Sequence, residues 1–364
     1  MKKIFFLLSI STLLFACKPD DTGDPCDITF DQAAMFTNLA DHIIIPAFED
    51  LNTKLDALVV EMSDFTTTPT ESQLIDLRFA FEEAWLSWQA VSPYNFGPSE
   101  IVFLRSSVNN FPANTADIEA NIAGGNYDFN LPDSYDKGFP ALDYLLYGLG
   151  ENDAEIVAKY QPGNAYSHYL QDVIGDIKIR VDATKIEWAK STPDNYRNSF
   201  IQNTGTAAGT SLSLLINQLN ENYEFLKRDR IGLPSGVLTL DIANPTKVEA
   251  FYSGISLELA IKSLEASVNL YTGSNGLGLD DLLIAAEAMK GTETLDAVIQ
   301  AQFSKAKDAL EALQGPLSAA VENDQLAVQQ AYAELSQQLV HIKTDMPTVL
   351  CVAITYIDNP SDSD

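Results

Sequence analysis

Residues 137–147, KGFPALDYLLY, place one carboxylate, Asp143, in an otherwise apolar helical turn. Phe139, Leu142, Leu145 and Leu146 recur at helical spacing, and Gly138 and Pro140 supply a breaker and a first-turn proline. Asp143 therefore falls close to the buried face, where an acid needs either a ligand or a hydrogen-bonding partner such as Tyr, Arg or a backbone N–H.

A second polar group lies in the long irregular stretch 93–137, where Tyr94, Ser99, Glu100 and Arg105 surround a turn set by Gly97 and Pro98. Arg105 can pair with Asp143 or with an anionic ligand. Alternatively, Arg105 and Glu100 simply tie the loop to the helices. In the second half Glu249, Tyr252 and Ser253 read as part of a helix whose buried stripe continues through Leu257, Ile261 and Leu264.

Several chemistries lack their signatures. The chain has no HExxH, no phosphate-binding GxxxxGK[ST], no dinucleotide fingerprint and no GxSxG elbow, so Ser211 receives no catalytic role. Its only histidines are His42, His168 and His341, too few and too scattered to read as an imidazole-rich metal site. Trp85, Trp88, Tyr94 and Phe96 have the spacing of a buried helix face.

The elements that must position these groups are helical. Strand signals are nearly absent, and periodicity predicts helices over 30–62, 71–91, 139–149 with a continuation near Ile156, and 164–190. A second set follows over 197–230, 247–271, 279–289, 292–313 and from 318 or 322 to 343. The expectation is an all-α chain of two packed helical-bundle domains, 28–191 and 192–355, with an acidic tail over 356–364. Bundles of this kind build ligand sites from inward side chains or at a domain junction.

Lys2 and Lys3 precede a short apolar run ending LLFAC, the pattern of a lipoprotein signal over 1–16 with Cys17 lipidated. Residues 17–27, rich in Pro, Gly and Asp, read as a flexible tether. This predicts a cell-envelope, outer-membrane lipoprotein, held to the membrane by its N-terminal lipid alone, on the periplasmic face or the cell surface. Cys26 and Cys351 remain, and in an oxidising envelope they either bridge the two ends of the chain or stay as unpaired thiols. The formal charge of −29 argues against nucleic acid as a partner.

The 137–147 segment also resembles the GxHxxE signature of the imelysin-like proteins, with Gly138, Pro140 and Asp143 at the aligned positions. Further segments, from Asn38, Trp85, Gly205, Val248 and Lys343, resemble that family's lipoprotein branch in the same order. The resemblance implies a pair of helical bundles and a role in bacterial iron uptake. A small ligand or iron species would be held near Gly138, Pro140, Asp143, Glu100, Arg105, Tyr94, Ser99, Glu249 and Ser253, with other iron-uptake envelope proteins as partners. Asp143 and Glu100 would be the metal ligands, since ferric iron accepts hard oxygen donors. Other implied readings are a metallopeptidase, whose motif His is here Pro140, and a surface scaffold without a small ligand.

Overall fold

The computed structural model describes residues 26, 28–189 and 193–356. The expected signal, the lipidation site Cys17 and nearly all of the expected tail lie outside them. The first half contains α1 (Gln32–Leu39), α2 (Ile45–Thr67), α3 (Glu71–Val91), α4 (Pro98–Ile101), α5 (Leu104–Val108), α6 (Thr115–Gly124), α7 (Gly138–Asp143), α8 (Asp153–Lys159) and α9 (Ala165–Glu187). The second contains α10 (Tyr196–Gln202), α11 (Ser211–Glu224), α12 (Ser256–Thr272), α13 (Leu279–Ala285), α14 (Leu295–Glu311), α15 (Leu317–Asn323), α16 (Gln325–Val340) and α17 (Met346–Val349). A two-residue hairpin, β1 (Met289–Lys290) against β2 (Glu293–Thr294), is the sole sheet among the described residues.

Local chemistry sets the helix ends. Thr70, Asn164, Thr210 and Asp324 each accept an N–H of the first turn of the helix they precede, satisfying a donor that has no partner within the helix. Among the described residues four stretches widen into π-helical turns: Ala40–Ile44, Tyr144–Gly148, Phe225–Gly232 and His341–Asp345. The first, third and fourth lie just before Pro46, Pro234 and Pro347, where the missing N–H and the ring disfavour a regular α turn.

In the first half α2 packs on α3 and α9, and in the second α14 packs on α16 while α12 touches α11 and α14. α3 and α12 lie against each other across the seam, and one continuous apolar core runs through both halves. Trp85, Trp88, Tyr94 and Phe96 are buried in it, with Trp85 stacked on Phe139 of α7. The expected division at residues 191 and 192 falls before α10, whose Phe200 packs on Phe36, Phe96 and Trp188 of the first half.

Several expected elements are corrected. The helix expected over 197–230 is broken between α10 and α11, where Gly205 and Gly209 take positive φ. The helix expected from 247 begins only at Ser256, so Glu249, Tyr252 and Ser253 lie in a turn-rich loop. Ala250 and Gly254 both turn into the left-handed region there, which a continuous right-handed helix cannot accommodate. The irregular stretch 93–137 holds α4, α5 and α6.

Gly138 shows why α7 can dock at all. Its φ is +75°, and a Cβ there would overlap the backbone carbonyl of Val108 at the end of α5. Gly138→Ala combines left-handed strain with a backbone clash and is expected to cost about 2 kcal/mol or more. Urea unfolding measures it, and a loss below about 0.5 kcal/mol would contradict the close approach.

Candidate functional site

Asp143 ends α7 and points across the seam. Its Oδ2 accepts the backbone N–H of Tyr252 at 2.9 Å and its Oδ1 that of Ser253 at 2.8 Å. The loop's departure from helix leaves these two amides free to donate, so the carboxylate and the loop explain each other. Asp143 is thus partnered by backbone from the other half of the chain. It also lines a cavity of about 250 Å3 with Pro140, Phe111, Lys247, Phe251 and Tyr252.

Burial raises the Asp143 pKa to about 6, against the pull of the Ser253 and Tyr252 groups, with the nearby Glu249 charge adding to the rise. The unfolded chain releases this proton near pH 3.9. Between those values the folded state binds more protons, so Asp143 makes stability fall as pH rises from about 4 to about 6, by about 3 kcal/mol in total. Asp143→Asn is expected to remove this fall, read as urea midpoints across that range. Asp280, also held near 6 by burial, acts in the same direction in both proteins, so the difference isolates Asp143. Parallel pH profiles for the two proteins would refute the assignment.

Glu249 belongs to a buried network that joins the halves. Its Oε2 lies 2.6 Å from Nε of Arg230, and its Oε1 accepts the amide of Asn109 at 2.7 Å. Asn109 in turn accepts the indole N–H of Trp85 at 2.9 Å. Arg230 donates further to Ser263 at 2.6 Å and to Gln89 at 2.8 Å. The pair is almost wholly enclosed, with side-chain exposures of 4% for Arg230 and 1% for Glu249.

Beside this network, between α5, α11 and the π turn after α11, lies a second cavity of about 340 Å3. Arg105 and Arg230 both reach its wall. Arg105 donates from Nη1 to Glu221 at 2.7 Å, and from Nη2 to the carbonyl of Ser92 at 2.7 Å and to Gln218 at 2.9 Å. Its guanidinium lies over the Phe225 ring, 5.3 Å from the centroid. Burial lowers its pKa from the ordinary value while Glu221 opposes that shift.

The expected site residues therefore fall in several places. Asp143 and Pro140 line one cavity, with Ser253 beside the Asp143 carboxylate. Arg105 lines the other, and Glu249 holds Arg230 at its wall. Arg105 pairs with Glu221, not with Asp143. Glu100 is exposed, lines neither cavity and sits near Tyr196, so it does not join Asp143. Ser99 is buried, and Tyr94 lines a separate small cavity with His42. Among the described residues no three His, Cys, Asp or Glu side chains gather as a metal-binding group.

Sequence reasoning missed Arg230, Glu221, Asn109 and Gln89. The run around Arg230, FLKRDRIG, is rich in charge and closes the helix expected over 197–230, so nothing in it marks Arg230 as buried. Lys137 was missed too: its fully buried ammonium donates to the carbonyls of Phe129 and Leu131, each at 2.6 Å, and pins the loop before α7.

The model of the imelysin family, Peptidase M75, matches residues 44–344. The chain belongs to the imelysin family. Its fold is similar to that of a "putative iron-regulated protein A precursor" from Parabacteroides distasonis ATCC 8503, with a TM-score of 0.70 and 19% identity, covering 87% of this chain and 95% of that one. It is also similar to an imelysin-like protein from Psychrobacter arcticum 273-4, with a TM-score of 0.65 and 17% identity, covering 90% and 97%. At these identities the likeness shows the fold alone. No curated protein matches the chain. Among the described residues no helix is long and apolar enough to cross a membrane.

Proposed function

We propose that this imelysin-family protein is an envelope lipoprotein that captures a small iron-carrying ligand in the cavity walled by Arg105 and Arg230. The observation that carries the reading is that cavity itself: a hollow of mixed polar and aromatic lining at the seam of two helical halves, the place where helical proteins build ligand sites. The iron link is supported by the name of the similar Parabacteroides protein, and the envelope placement by the LLFAC pattern ending at Cys17.

The donor set favours a chelate over a bare ion. Asp143 is committed to two backbone amides, Glu100 is remote from it, and no third ligand joins either among the described residues. Hydrolysis by a protein-held metal makes the same demand for converging ligands plus an open position. Capture is therefore the reading the geometry favours over peptide cleavage.

Calorimetric titration of the purified protein with ferric citrate, neutral ferric tris-acetohydroxamate, ferrous ion, zinc and haem tests this. Saturable binding of an iron species, weakened about tenfold or more by Arg105→Gln, is the expected result, since a hydrogen bond from a charged group contributes about 1.5–3 kcal/mol. Silence from every iron species, with the helical circular dichroism intact, would end the proposal.

A further inference from the structure

The side chains around the Arg105 cavity also constrain the charge of its occupant, an inference that rests on the reading of that cavity as the ligand site. Two arginines at a cavity wall suggest an anion receptor, yet neither is free to act as one. Arg230 is already ion-paired with Glu249 and hydrogen-bonded to Ser263 and Gln89. Arg105 is ion-paired with Glu221 and bonded to Ser92 and Gln218.

The lining balances these two cations with Glu221 and Asp133, and Glu249 stands directly behind Arg230. An entering anion would meet no net positive charge, and the chain's formal charge of −29 opposes its approach at longer range. A bare cation fares no better, because it would face two poorly solvated guanidinium groups.

What the cavity does offer is uncommitted hydrogen-bonding capacity. The half-buried Asn95 side chain lines this space, and the exposed Asp133 and Tyr135 stand at its mouth; none of the three side chains makes a hydrogen bond within the described residues. Phe111, Tyr135 and Phe225 add aromatic surface. Scattered donors and acceptors, ring faces and balanced charge suit a neutral molecule with several oxygens and an apolar side.

We infer that the cavity takes an uncharged, oxygen-rich small molecule, to which the side chains of Asn95 and Tyr135 hydrogen-bond while Phe111 and Phe225 pack against its apolar side. Two sources share this chemistry: a neutral ferric chelate of the hydroxamate type, and a polyol such as a sugar.

The test titrates the purified protein with ferric tris-acetohydroxamate, which is neutral, with ferric citrate, which is anionic, and with iron-free maltose. Each titration is run at about 0.05 M and about 0.5 M salt. The expected result is saturable binding of a neutral probe whose Kd changes less than about twofold with salt, because no net charge is neutralised. Asn95→Ala and Tyr135→Phe should each weaken it about fivefold, the effect of one neutral hydrogen bond. Neither should move the melting temperature, since neither side chain is bonded elsewhere in the described structure.

Tighter binding of ferric citrate than of both neutral probes, or a Kd that rises steeply with salt, overturns the inference and leaves iron capture standing. Maltose binding with the hydroxamate silent upholds the inference and removes iron from the proposed function. Silence from all three probes overturns the inference, and the ferrous-ion and haem titrations then decide whether iron capture falls with it.

Discussion

Glu249→Ala is expected to destabilise the protein by about 3–5 kcal/mol, because it leaves the Arg230 guanidinium buried without its counter-ion. The guanidinium sits at the meeting point of α3, α12 and the π turn after α11, and among the described residues Glu249 is its only carboxylate partner at ion-pair distance. Water cannot replace that partner readily at a site so enclosed. Asn109, which donates to Glu249 and accepts from Trp85, would lose its acceptor as well. Urea unfolding of the single variant gives the number. A companion variant, Arg230→Met with Glu249→Leu, should recover most of the loss, since an enclosed ion pair contributes little net stability over apolar groups of similar size. A single-variant loss below about 1 kcal/mol would mean that the seam opens to solvent and the network is not enclosed.

Loss of the Cys26–Cys351 bridge is expected to be the other large effect. The structure joins the two cysteines, with Cα atoms 5.7 Å apart, across a separation of 325 residues. It thereby selects the bridged alternative left open by the sequence. Closing so long a loop restricts the unfolded chain strongly, and the chain-entropy relation gives about 6 kcal/mol for a loop of this size. Residual structure in the unfolded state reduces that figure. Cys26→Ser with Cys351→Ser, compared with the parent by urea unfolding under non-reducing conditions, should show a loss of about 2–5 kcal/mol. A reductant should bring the parent to the level of the variant and leave the variant unmoved. Equal stability of variant and parent without reductant would contradict the bridge.

The two large effects differ in how visible their causes were beforehand. The cysteines were legible as a pair because they flank the helical region and the envelope reading implies an oxidising compartment. The ion pair was not, because Arg230 sits in a charged run and Glu249 was assigned to a helix that begins only at Ser256. That helix was the reasonable reading of apolar spacing from 248 onward. The loop instead turns left-handed at Ala250 and Gly254, and the two amides this frees are taken up by Asp143, more than a hundred residues earlier.

α3 shows the opposite case. Its observed span, Glu71–Val91, matches the expected one because Thr70 caps the start and Pro93 stops the end, both within one turn of the boundary. The all-helical class, the family resemblance and the buried face carrying Trp85 and Trp88 were likewise determined by residues close together in the chain. Asp143 was correctly marked as a buried acid for the same reason, since apolar neighbours one turn away decide which face is covered.

The tertiary structure alone decided what each buried polar group touches: Asp143 on two backbone amides, Arg105 on Glu221, Arg230 on Glu249, and Glu100 left on the surface. Helical periodicity acts over three or four residues, so the sequence could place a side chain on a face. Asp143 and Arg105 find their partners across the seam, more than a hundred residues away, and Arg230 meets Glu249 only because the chain loops back between them, so tertiary packing alone makes each contact.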